Sequence, residues 1–236
     1  MPKLFAPARR TRADDIFFPA MSLAILGVVI FGFARSYFLQ GMVYAKLPNQ
    51  LVHIHGAIFV SWIVLLIVQN SLIATKRIKS HMVLGVLGVI LPPLMVTLGV
   101  LTLFDSIRRN NLGPPPVILL VGDLEQLVLF VVFIAWGLIA RRQPDAHKRL
   151  MLLGTMSILA PAISRWPFPD ELRLAGTIAV YLALPLILVI YDFFCFDRVH
   201  RTTTIGSITI AFAALTVEPF ATTPFWQNVI SWIRSS

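Results

Sequence analysis

The stretch that decides the fold is His53-Ile54-His55-Gly56, then residues 57–74, AIFVSWIVLLIVQNSLIA, and then Lys79-Ser80-His81. Residues 57–74 carry no charge and few polar side chains. As a helix rising ~1.5 Å per residue they are long enough to cross a bilayer. His53 and His55 then stand at one membrane face and His81 near the other.

The rest of the chain extends this pattern. Of its 236 residues, 57% are hydrophobic and 13% charged, and the mean hydropathy is +0.81. That leaves too little polar surface for a water-soluble domain, so lipid is the expected solvent and the bilayer the first partner. The net charge of +9 lies in short clumps between apolar runs, with no continuous basic stripe and no nucleic-acid motif. Cys195 is the single cysteine, which excludes an internal disulfide and a cysteine metal cage.

Apolar runs predict an all-α, polytopic transmembrane bundle of about seven spans: 16–39, 51–75, 82–104, 117–140, 148–165, 174–196 and 203–217. The last is short, so six spans is the alternative. The first run is too long for the core of a cleaved signal peptide and reads as a retained span. Pro92-Pro93 are expected to kink the third span. Gly113-Pro114-Pro115-Pro116 stiffen the entry to the fourth. Tyr37 and Tyr44 read as interfacial aromatics. Residues 1–15 read as a basic leader, 16–217 as the bundle, and 218–236 as an interfacial or periplasmic tail, whose stretch 220–233 can lie along the interface as an amphipathic helix. With the N-terminus inside, 13 of the 20 basic residues fall on the inner side, so the positive-inside rule predicts a cytoplasmic N-terminus.

An internal repeat is visible. Leu72-Ile73-Ala74 precedes His81 by the spacing at which Leu138-Ile139-Ala140 precedes His147, and Leu84, Leu87 and Gly88 match Leu150, Leu153 and Gly154. Spans 2–3 therefore read as duplicated in spans 4–5.

Two groups of residues could carry chemistry. The repeat puts His81 and His147 at one depth on neighbouring helices, as axial ligation of a b-type haem requires, with Lys79, Lys148 and Arg149 as partners for its propionates. The competing reading gives both histidines to lipid phosphates or helix ends. On the outer side lie His53, His55, Asp123, Glu125 and Arg165. They read as zinc or iron ligands or a proton relay, or as an Asp123–Arg165 or Glu125–Arg165 ion pair joining two spans. Residues two apart on a helix diverge, so His53 and His55 do not easily share one site, nor do Asp123 and Glu125. His55, Trp62 and Gln69 recur every seven residues on one face, which predicts that His55 faces the bundle. Asp192 is expected near the inner interface. The chain carries no nucleotide-binding glycine loop, zincin motif or nucleophile elbow, so no catalytic residue is assigned.

Gly32-Phe33-Ala34-Arg35-Ser36-Tyr37-Phe38, Val52-His53-Ile54-His55-Gly56, Trp62, Gln69, His81 and His147-Lys148-Arg149-Leu150-Met151 together resemble a group of uncharacterised multi-span bacterial inner-membrane proteins. The resemblance covers most of spans 1 to 5 and fades after Arg165. It implies a multi-pass protein of the bacterial inner membrane and no particular reaction. Histidine placement alone resembles histidine-ligated membrane cytochromes. Three functions follow as expectations: a redox or cofactor-binding membrane protein using His81, His147 and His55; a transporter or metal-handling protein using the outer group; or a non-catalytic accessory unit among other membrane subunits.

Overall fold

The computed structural model describes residues 12–41, 46–109 and 116–235. The first eleven residues of the leader, Tyr44 and the run Gly113-Pro114-Pro115 lie outside them. Every regular element among the described residues is helical: α1 (Arg12–Phe33, continued by a wider turn Ala34–Phe38), α2 (Gln50–Ala74), α3 (Ile78–Leu84), α4 (Leu87–Arg108), α5 (Pro116–Ile139), α6 (Pro144–Ser157), α7 (Ala160–Ile163), α8 (Arg173–Phe196), α9 (Arg201–Ala221) and α10 (Pro224–Ser235).

Among the described residues, six stretches are helices long and apolar enough to cross a membrane: Arg12–Phe38, Gln50–Ala74, Ile78–Arg108, Val117–Arg142, Asp170–Phe196 and Arg201–Ala221. Their outer faces are apolar. Val83, Phe194, Phe212 and Leu215 are 74%, 79%, 68% and 63% exposed, apolar faces of the kind that suit a lipid solvent.

Local chemistry explains the boundaries. Asn49 caps α2 by accepting from the Val52 N–H at 3.2 Å, which satisfies one of the free donors at a helix start. The break between α3 and α4 comes at Gly85–Val86, and α4 runs on through Pro92 and Pro93. The short run at 203–217 belongs to a longer helix, α9, of 21 residues.

The expected span 148–165 is not one helix. Its place is taken by α6 of 14 residues and α7 of 4. Pro161 has no N–H to give the Ser157 carbonyl four residues back, and the Tyr181 hydroxyl donates to that carbonyl instead at 2.7 Å. The short helix α6 packs against α1, α5, α8 and α9, and nine of its residues are buried, among them Arg149, Leu150, Leu152 and Leu153. It stands among four of the six long helices.

The helices meet closely where glycine allows it. A Cβ on Gly32 would land inside the carbonyl of Ala162, and one on Gly206 would meet Leu153 Cδ1 at 2.5 Å. At the C-terminus, α10 lays Ile230 and Ile233 into a second apolar cluster with Leu103, Ile107, Val117 and Leu120. Phe225 and Trp232 stay exposed on its other side. An amphipathic terminal helix is what the tail's composition predicts.

Candidate functional site

Two groups of polar residues stand at opposite ends of the bundle. At the end where α1 begins, α3 supplies His81 and the first turn of α6 supplies His147. Their rings lie 6.4 Å apart between centroids and nearly perpendicular, at 86°. His147 Nδ1 is 2.8 Å from the Gly137 carbonyl oxygen. A carbonyl only accepts, so Nδ1 carries a proton, and in the neutral tautomer the lone pair is on Nε2. His81 Nδ1 is buried with no hydrogen-bond partner.

Two of the three cations expected to serve a cofactor here, Lys148 and Arg149, are otherwise engaged. Lys148 Nζ sits 2.8 Å from Asp14 and 2.9 Å from Asp145. Arg149, 1% exposed, donates from Nε to both oxygens of Asp192 at 3.0 and 3.1 Å and from its terminal nitrogens to Asp192 and to the Asp145 carbonyl. Asp192 also accepts from Thr203 and from the His200 N–H at 3.1 Å, and Tyr191 donates to Asp14 at 2.7 Å. Asp192 is therefore not an interfacial side chain: it is 0% exposed and ties α6, α8 and α9 together. Asp14, placed with the leader by composition, is buried inside α1. The signal for this network was Asp192 itself, a carboxylate in an apolar run that must find a cation. Lys79, Arg141 and Arg142 are among the exposed cations at this end, with Arg12, Lys76, Arg77, Arg198 and Arg201. Arg141 and Arg142 line, with Ile139, an open cleft of about 400 Å³.

His200 stands in the loop between α8 and α9 and caps α9 by accepting from the Thr202 N–H at 3.2 Å. Burial holds its pKa below the ordinary value, and the Arg149 cation pushes the same way, against the opposing carboxylates of Asp192 and Asp145.

At the opposite end the expected outer residues take different surroundings. His53 packs beside the Tyr37 ring at 5.8 Å, whereas His55 packs on Phe59 at 4.1 Å with Nδ1 buried and unpartnered. Asp123 and His55 both lie within electrostatic reach of Arg165. The Arg165 guanidinium, however, donates to the Pro161 carbonyl and stacks 4.7 Å over Phe33. Neither an Asp123–Arg165 nor a Glu125–Arg165 contact is among the direct ion pairs of the described residues. Glu125 turns away from Asp123 toward a crevice it shares with Tyr181. Among the described residues no three His, Cys, Asp or Glu side chains cluster closely enough to hold a metal ion.

Between the two ends, the face marked by His55, Trp62 and Gln69 does point inward. Trp62 is 2% exposed and donates to Thr155 Oγ1 on α6 at 3.0 Å, and Gln69 Oε1 is buried without a partner.

Comparison of the chain with protein-family models, with curated proteins and with solved structures gave no match. The functional reading therefore rests on the two ends of the bundle alone.

Proposed function

We propose that this chain is a multi-pass protein of the bacterial inner membrane, N-terminus inside, that holds a redox cofactor between His81 and His147. The observation that carries the reading is the 6.4 Å separation of two perpendicular imidazoles from different helices. Imidazole–metal bonds of ~2.0 Å place two rings that share one metal roughly 6 Å apart between centroids. The Gly137 carbonyl gives His147 the outer-shell hydrogen bond that metal-ligating histidines usually make, fixing its tautomer and leaving Nε2 for a metal.

A b-type haem iron is the group this pair fits best; it would supply one-electron transfer. In that reading His81 and His147 would hold the iron, and exposed cations such as Lys79, Arg141 and Arg142 would be left for its acidic groups, because Lys148 and Arg149 are paired with Asp14 and Asp192. The matched placement of the two histidines after a long helix and a tight turn also supports a duplication of the two hairpins. His55 stays outside this site, at the far end of α2.

The test is elemental analysis of the purified protein. About one iron per chain, lost in His81→Ala and in His147→Ala, supports the reading; a wild-type protein without bound metal refutes it.

A second reading, an accessory subunit with no cofactor, is favoured by the Arg149–Asp192 network, in which buried charges satisfy one another within the chain. A folded but metal-free wild type would select it.

A further inference from the structure

A crevice separate from the histidine pair opens between α5, α8 and α9. Its volume is about 120 Å³, a little below the ~150 Å³ of an apolar cavity known to admit benzene. Most of its wall is apolar, with Leu129, Ile178, Ala214 and Val217 among the residues lining it. Four polar side chains break that wall, Glu125, Gln126, Thr177 and Tyr181, and Thr177 already donates to the Arg173 carbonyl.

Glu125 presents a carboxylate there, and no cation pairs with it among the described residues. Gln126 donates its Nε2 to the Gly122 carbonyl at 3.1 Å. That bond fixes the amide's orientation, with Oε1 buried behind the wall and closed to the crevice. The nearby Tyr181 hydroxyl is already spent on the Ser157 carbonyl.

A partly buried carboxylate in an apolar wall is costly while it stays charged and unpaired, and a positively charged donor removes that cost. At the mouth Leu174 is 59% exposed, so a ligand's tail can run out among lipid chains. From this we infer that the crevice binds the ammonium head of a lipophilic amine. The charged nitrogen donates to Glu125, and the first few carbons fill the apolar wall. An inorganic cation would satisfy the carboxylate but would leave that wall empty.

The test is equilibrium dialysis of radiolabelled n-butylammonium against the full chain in nanodiscs, with empty nanodiscs subtracted. One saturable site per chain is expected. Glu125→Gln should weaken it about tenfold or more, because a charge-assisted bond becomes a neutral one. Ala214→Leu should abolish it by filling the crevice. The uncharged isostere 1-butanol should fail to compete. No saturable binding to the wild type, equal competition by 1-butanol, or displacement by sodium at equal concentration overturns the inference. Those three results come from the unmutated protein, so they hold even if a variant does not fold.

Discussion

Removing Asp192 tests the network on which the centre of the bundle depends. In Asp192→Ala the Arg149 guanidinium, 1% exposed, loses the carboxylate that takes its Nε and one terminal nitrogen. Thr203 and the His200 N–H lose their acceptor as well. Breaking one partner of a buried pair costs ~3–5 kcal/mol, because an uncompensated charge stays inside. For a chain of this size that is a fall in melting midpoint of roughly 6–20 °C. The assay is thermal unfolding in detergent followed by circular dichroism, run as a double-mutant cycle with Arg149→Met. The double variant removes both charges and should recover most of the loss, since an apolar pair of similar volume often replaces a buried ion pair at little cost. Additive losses in the cycle, or an Asp192→Ala effect below ~1 kcal/mol, would refute the reasoning.

Other consequences are as direct. His200 has a pKa depressed below 6.5 by burial and by Arg149, so the folded state binds its proton less readily than the unfolded state does. The stability this contributes is complete above pH 6.5 and declines as pH falls through the lower, folded value. The melting midpoint should drop between pH 7 and pH 5, and less so in His200→Asn, which keeps a capping side chain; identical slopes would discount His200. Gly32→Ala forces α1 away from the Ala162 carbonyl and should cost ~1–3 kcal/mol in the same assay, with no change counting against the close approach. Trp62→Phe removes the Trp62–Thr155 hydrogen bond and should cost about 1 kcal/mol. In a Thr155→Val background most of that loss should vanish, and a full loss there would exclude the bond as its cause.

The membrane-length helices were legible because a 20-residue apolar run has few other folds open to it. The inward face of α2 was legible for the same kind of reason: His55, Trp62 and Gln69 repeat at a helical period, and Trp62 and the buried atoms of the other two lie inside. The position of α6 was not. Its sequence, PDAHKRLMLLGTMS, mixes charge and hydrophobe and reads as the ragged start of another span. Its burial becomes intelligible only when Asp192, 43 residues away from Arg149, and Asp14, 134 residues from Lys148, arrive as partners. No local period encodes that meeting. The same holds for Arg165: composition offered Asp123 as its partner, whereas the helix end presented a nearer carbonyl and the Phe33 ring. The facing of His81 and His147 lay between these cases, since the spacing match placed them at one depth and the packing of α3 beside α6 set their distance.

The most direct test of the central claim is a reduced-minus-oxidised absorption spectrum of the purified protein, with dithionite as reductant. If His81 and His147 hold a haem, the spectrum shows a shifted Soret band and an alpha band, and His81→Ala and His147→Ala abolish both while leaving the helical circular dichroism intact. A colourless, well-folded wild-type protein, or bands that survive both substitutions, would contradict the account.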